Sequence, residues 1–138
     1  MVPRYTTAEE AVKLIKSYDH VYVQGSTSIP EVLIDALTAR ADELRGVEIY
    51  SAFAVGKRDA PYAEPELRDS FIPKTIFIAN CIRKAVNRGD AQIIPVLLGQ
   101  APSLFREKYL TLDASLLNVS PPNKDGFCSY GISADMAV

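Results

Sequence analysis

The chain has 138 residues, 48% apolar and 23% charged, with a formal net charge of −2 and no tryptophan. That is the composition of one ordinary globular domain able to build its own core; it excludes a disordered chain, and the lack of a basic stripe argues against nucleic acid as a partner. A single histidine, His20, and two cysteines, Cys81 and Cys128, do not make a His-rich or four-ligand metal centre, and the longest apolar runs, such as residues 93–98, are far too short to span a membrane.

The elements follow in chain order. Thr7 and Glu10 fit a capping box at a helix start, and Ala8, Ala11, Val12 and Ile15 continue at helical spacing to an end near residues 17–19. The N-terminus is polar and helix-starting rather than signal-like, so both cysteines read as reduced thiols of a cytoplasmic protein. Residues 20–24 are a short β-type run, and Gly25-Ser26-Thr27-Ser28 is the loop after it. Ser28 and Glu31 form a second capping-box pattern with Pro30 in the first turn. Val32, Leu33, Ala36, Leu37, Ala41 and Leu44 then make one apolar face, closed by Gly46 as a C-terminal cap.

Residues 47–53 predict the next strand. Residues 56–70 are polar, carry Pro61 and Pro65, and predict a long surface excursion with a short helix near residues 65–69. A strand is expected over 74–79, a helix over 80–88 ending at Gly89, a strand over 92–98, a short helix over 102–108 and a fifth buried strand over 115–119. Residues 120–126 are turn chemistry, and residues 127–132 predict one more short strand. Strand and helix alternate through most of the chain. That pattern predicts an α/β fold with a mainly parallel sheet, right-handed crossovers and helices on both faces.

In an open parallel sheet, ligands bind beyond the carboxyl ends of the strands, where helix N-termini favour anions. Two loops qualify. The first is Gln24-Gly25-Ser26-Thr27-Ser28, with a glycine for close backbone approach and three hydroxyls. By spacing alone its commoner reading is a plain βα turn with a capping serine, and it lacks the glycine fingerprint of a dinucleotide site. The second begins at Asn80, a candidate N-cap, followed by Arg83 and Lys84. Basic residues in a first turn oppose the helix dipole unless an anion or a carboxylate lies close; a solvated surface pair is the plainer alternative. Cys81 has no evident histidine partner, and Asp59, Glu64, Glu66 and Asp69 read as solubilising residues.

The last third of the chain is more specific. Asp113 precedes an apolar strand; Ser120-Pro121-Pro122-Asn123, the turn glycine Gly126, Phe127-Cys128-Ser129 and Gly131 follow. This run resembles the N-terminal half of the acetyl-CoA hydrolase/transferase family, which includes 4-hydroxybutyrate, acetate, propionate and succinate CoA-transferases. Ala60-Pro61-Tyr62-Ala63 with Pro65, Asn80 with Arg83-Lys84-Ala85-Val86, Ile94-Pro95-Val96 and residues 7–15, 25–30 and 102–105 match other family segments in order. Two positions depart: Gln24-Gly25 stands where many members carry paired glycines, and Asn123 replaces the usual aspartate.

The resemblance implies a CoA-transferase (NagB/RpiA-like) fold, with residues 1–138 as an incomplete N-terminal domain. It implies a cytoplasmic transferase that moves CoA between an acyl-CoA and a small carboxylate, with coenzyme A as substrate and no bound cofactor. The nucleophile would be a glutamate in the absent C-terminal half, so this chain alone is expected to be inactive and to form a homo-oligomer or associate with that half. Gln24, Gly25, Ser26, Thr27, Ser28, Asn80, Arg83, Lys84, Ser120, Pro121, Pro122 and Gly131 are the expected substrate-binding positions. The alternatives are an acyl-CoA hydrolase of the same family and a non-catalytic module that senses a small ligand.

Overall fold

The computed structural model describes residues 5–53 and 58–137. Its frame is five strands: β1 (His20–Val23), β2 (Val47–Ser51), β3 (Phe71–Thr75), β4 (Gln92–Ile93) and β5 (Ala114–Leu116). All pair in parallel, in the order β4-β3-β2-β1-β5. The α-helices are α1 (Ala8–Ala11), α2 (Glu31–Thr38), α3 (Asn80–Arg88) and α4 (Ala101–Arg106). The expected α/β architecture is therefore present. None of the helices is long and apolar enough to cross a membrane, among the described residues.

Register decides what each face of the sheet carries. Val21, Ile49 and Pro73 align across β1, β2 and β3, and one residue on so do Tyr22, Tyr50 and Lys74. Side chains alternate along a strand, so these two rows point to opposite faces. On the first face Val21, Val23, Val47, Ile49 and Phe71 pack against Val12, Ile15, Ile34, Leu37, Tyr62 and Ile82 in one continuous core. Burying each large side chain of this set stabilises the fold by about 1.5–3 kcal/mol. The second face is aromatic and polar. Phe105 of α4 covers part of it, its ring 6.3 Å from that of Tyr22 and 5.9 Å from that of Tyr50.

The crossovers thus lie on both faces, unevenly. The segments after β1, β2 and β3 contribute Ile34, Tyr62 and Ile82 to the first face; α4, between β4 and β5, lies on the second. The strand order accordingly turns back between β1 and β5, and the crevice at their carboxyl ends is the place where such sheets bind ligands.

Several elements differ from their sequence patterns. After α1, the chain tightens into a 3-10 turn at Val12–Leu14 and becomes extended at Ile15, ending the helix early. The Thr7 hydroxyl does accept the Glu10 amide at 3.3 Å, but the Glu10 carboxylate pairs with Lys13 rather than closing the box. At α2 the N-cap is Pro30, which has no capping side chain; Ser28 lies in a separate turn, its amide donating to Gly25 O at 3.3 Å. The long apolar face after residue 31 is split, because α2 stops at Thr38 and Ala41–Glu43 is a separate 3-10 turn. Gly46 caps no α-helix. It adopts φ +62° directly before β2, with the Tyr18 ring over it.

The segment after β2 is not all surface. Its first 3-10 turn, Pro61–Ala63, buries Tyr62 and Ala63, with Tyr62 joining the core, and a second turn follows at Pro65–Leu67. β3 starts earlier than the apolar run suggested, at Phe71, and contains Pro73. The Ile76 amide donates to Ser51 O in β2, so by alternation Pro73 points its nitrogen toward β4, whose pairing starts only at Lys74. The missing N–H therefore costs no ladder bond. α3 fits its pattern, with Gly89 at φ 82° as its left-handed cap. β4 and β5 are shorter than expected, and residues 127–132 form no strand; they fold back in a loop in which Ser120 N donates to Ser129 O at 2.9 Å.

Candidate functional site

Gln24 organises the carboxyl end of the sheet. It follows β1, is fully buried, and uses both ends of its amide. Oε1 accepts the Asn118 amide just beyond β5 at 2.7 Å, and Nε2 donates to Ser133 O at 2.8 Å. A buried amide must be satisfied in this way or cost stability. Gln24 therefore ties the two loops at the turning point of the strand order and holds the C-terminal segment over them.

The next residues are packed against the end of β2. Ser26 N donates to Phe53 O, and Ser28 N donates to Gly25 O. Gly25 has no room for a side chain: a Cβ there would stand 2.6 Å from Phe53 O and 2.8 Å from an Asp135 oxygen. The glycine is required by close approach of backbone, as its position in a strand-end loop suggested. The three hydroxyls diverge in exposure. Thr27 is exposed, Ser26 half-buried and Ser28 buried, so they do not form a common solvent-facing row.

The start of α3 meets this loop from the β3 side. Ala79 and Cys81 are buried and pack against Ile29, and Ala60 N donates to Cys81 O at 2.9 Å. Val23, Gln24, Ile29, Tyr62 and Cys81 line a small cavity of about 30 Å³, with Arg58 and Asp59 at its rim. The Tyr62 phenol in it is pushed up to about 12, chiefly by burial. Asn80 is the first residue of α3 rather than its cap; Ala79 takes the cap position without a side-chain bond. Asn80, Arg83 and Lys84 are exposed. Lys84 pairs with Asp59 at 2.6 Å, and that carboxylate raises the lysine's pKa. The carboxylate that a basic first turn calls for is thus Asp59, a residue whose sequence context suggests only a solubilising role.

Ser120, Pro121, Pro122 and Gly131 belong to the lobe after β5. The Ser120 hydroxyl accepts the Ser129 amide at 2.9 Å and donates to Pro121 O at 3.0 Å, while Asn123 Oδ1 accepts the amides of Asp125 and Phe127 at 3.0 and 2.9 Å. Asn123 therefore does the turn-holding work open to an aspartate at that place. The bonds of Ser120 to Ser129 and Pro121 stay within this lobe, which joins the β1 loop through Asn118 and Gln24.

Two residues carry no sequence signal of their place in the site. Tyr22 Oη donates to Asp135 Oδ2 at 2.9 Å, and Gly25 N donates to the same oxygen at 2.8 Å. Burial and then the Asp135 charge raise the Tyr22 pKa far above its ordinary value. Asp135 is 110 residues from Gly25 and carries no local pattern that could signal the contact. Between the β1 loop and α4, Ser26, Phe53, Leu98, Pro102, Asp135 and Met136 surround an open groove of about 330 Å³.

The family model of the acetyl-CoA hydrolase/transferase N-terminal domain matches residues 3–138. A 4-hydroxybutyrate coenzyme A transferase of Clostridium kluyveri is 36% identical over 132 residues, covering 96% of this chain and 30% of the relative. A succinyl-CoA:acetate/propanoyl-CoA:succinate CoA transferase of Fasciola hepatica is 31% identical, covering 95% of this chain and 27% of the relative. Among solved structures, RipA from Yersinia pestis superposes with a TM-score of 0.85 at 26% identity, over 96% of this chain and 32% of that one. The chain thus spans about three-tenths of the length of the relatives it matches.

Proposed function

The chain belongs to the acetyl-CoA hydrolase/transferase family through that N-terminal domain, and on this premise we propose that it supplies the N-terminal part of a CoA-transferase acting on an acyl-CoA and a small carboxylate. Transfer is favoured over hydrolysis because the named relatives are CoA transferases. The observation that carries the reading is the junction at Gln24, which brings the loops after β1 and β5 together where the strand order turns back.

In the mechanism proposed, a glutamate outside this chain attacks the acyl-CoA carbonyl, giving a mixed anhydride and CoA thiolate. The thiolate attacks the glutamyl carbonyl, releasing the first carboxylate and leaving a glutamyl-CoA thioester. The incoming carboxylate attacks that thioester and frees the thiolate, which then takes the new acyl group and restores the glutamate. Covalent catalysis divides one exchange into four acyl transfers. Each passes through an oxyanion that benefits from fixed N–H donors.

The part assigned to this chain is the wall facing those oxyanions and carboxylates. The Ser26 and Thr27 hydroxyls and the Asn80 side-chain amide would present donors, Arg83 a cation, and the Ser120-Pro121-Pro122 lobe with Gly131 the opposite rim; the Gly25, Ser26 and Ser28 amides, already bonded within the chain, would fix the loop instead. Lys84 contributes least, its charge being already matched by Asp59. The test is exchange of labelled acetate into acetyl-CoA. The chain alone should show none. Adding a polypeptide that carries the remaining portion of the Clostridium kluyveri relative should restore exchange. Full exchange by the chain alone would overturn the proposal.

A further inference from the structure

Asp135 sits where the strand order turns back, against the loop assigned to face substrate. One of its oxygens, Oδ2, takes the Gly25 N–H at 2.8 Å and the Tyr22 O–H at 2.9 Å. The same phenol oxygen accepts Met136 N at 3.2 Å, and Gln24 Nε2 holds Ser133 O at 2.8 Å. Residues 133–136 are thus laced to three positions at the end of β1, Tyr22, Gln24 and Gly25. Asp135 adopts φ 51°, a left-handed conformation that aspartate tolerates better than most residues. Such a conformation persists where surrounding bonds fix it.

We propose that Asp135 is a positioning residue: its carboxylate fixes the Gly25 backbone, and with it the direction in which residues 25–28 face the crevice. The proposal rests on the CoA-transferase reading for what that loop faces, but not for the contact itself. Phe53 O holds Ser26 N from the β2 side, and Asp135 holds Gly25 N from the side of the Tyr22 phenol. Between them the two contacts leave the loop one position. A carboxylate suits the task because one charged oxygen can accept both donors more strongly than a neutral acceptor.

Two variants of the 138-residue chain test this by amide NMR and hydrogen exchange. Asp135→Ala should lower the protection of the Gly25 amide by about tenfold or more, the loss expected for a bond to a charged group. The Ile76 and Phe77 amides, bonded to the carbonyls of Ser51 and Ala52, should keep theirs. Asp135→Asn keeps the shape and an acceptor oxygen, so it should restore Gly25 protection while moving the Gly25 proton upfield, because the acceptor is no longer charged. A protected Gly25 in Asp135→Ala, or an unmoved Gly25 proton in Asp135→Asn, overturns the proposal. If Asp135→Ala does not fold, the shift in Asp135→Asn decides alone. A parallel arm measures acetate exchange after adding the complementing polypeptide: activity should fall in Asp135→Ala and recover in Asp135→Asn, and full activity in Asp135→Ala overturns the positioning role. An inactive wild-type mixture would instead sink the transferase reading and leave the NMR result standing.

Discussion

Gly25 and Gln24 concentrate most of what the carboxyl end of the sheet requires. A methyl group on Gly25 would meet two oxygens inside normal contact distance. Gly25→Ala should therefore destabilise the chain by about 1–3 kcal/mol, the usual cost of overpacking, seen as a lower urea midpoint with an unchanged slope. Gln24→Leu keeps the volume but leaves Asn118 N and Ser133 O without their partner. Each orphaned group costs about 1–3 kcal/mol, so this variant should be the more damaging, and its midpoint should fall further than that of Gly25→Ala. At this scale the sequence was informative about Gly25, because a glycine directly after a strand marks a close approach of backbone. It was silent on why a glutamine stands at residue 24. That reason lies in two backbone groups more than ninety residues away, and no local pattern encodes such a distance.

The elements show a different division. α3 was readable because its Gly89 cap and its apolar spacing act within one helix. β3 was misplaced because Pro73 argues against a strand unless the neighbouring strand is known to stop short of it. Tyr62 looked like surface because a polar, proline-rich stretch surrounds a single inward-facing ring. β5 depends on side chains as well as on its short ladder. At its start, Asp113 Oδ2 accepts the His20 amide at 2.8 Å and lies 3.0 Å from His20 Nδ1. Beside it, Glu48 lies 3.6 Å from His20 Nε2 and 2.7 Å from Lys74. The His20 backbone bond, then its ring, lowers the Asp113 pKa. Burial alone would raise Glu48, but its bonds to Lys74 and Tyr50 and the nearby charges outweigh this and lower it. A carboxylate whose folded pKa is depressed stabilises the fold above its unfolded value, and that stability is lost as pH falls through the folded pKa. Asp113 is the carboxylate at the start of β5, so the edge strand should loosen as pH falls below its ordinary value of 3.8, whereas Glu48 acts from β2 through Lys74. Amide exchange of β5 should rise in that acid range before that of β2. Asp113→Asn should weaken β5 at neutral pH and flatten the response.

For the whole molecule, the two sheet faces are finished to different degrees. The first is sealed by α1, α2, α3 and the turns after β2; the second has α4, residues 133–137 and two open grooves, of about 220 and 330 Å³. Leu97, Leu98, Tyr109, Phe127 and Ile132 are exposed. Apolar surface of this kind favours association, so the purified chain should elute earlier from a sizing column as its concentration rises. The fold class was legible because alternation of strand and helix is written along the chain. Which face stays open was not, since it follows from the strand order.

In the reading proposed, the loops at the carboxyl ends of β1, β3 and β5 form a substrate-facing wall completed by polypeptide outside this chain. Hydrogen-exchange footprinting of the complemented chain, with and without acetyl-CoA, is the decisive experiment. Added protection is expected at residues 25–28, around Asn80 and at 118–122, with α1 unchanged. Protection confined to α1 and α2, with those three loops unaffected, would contradict it.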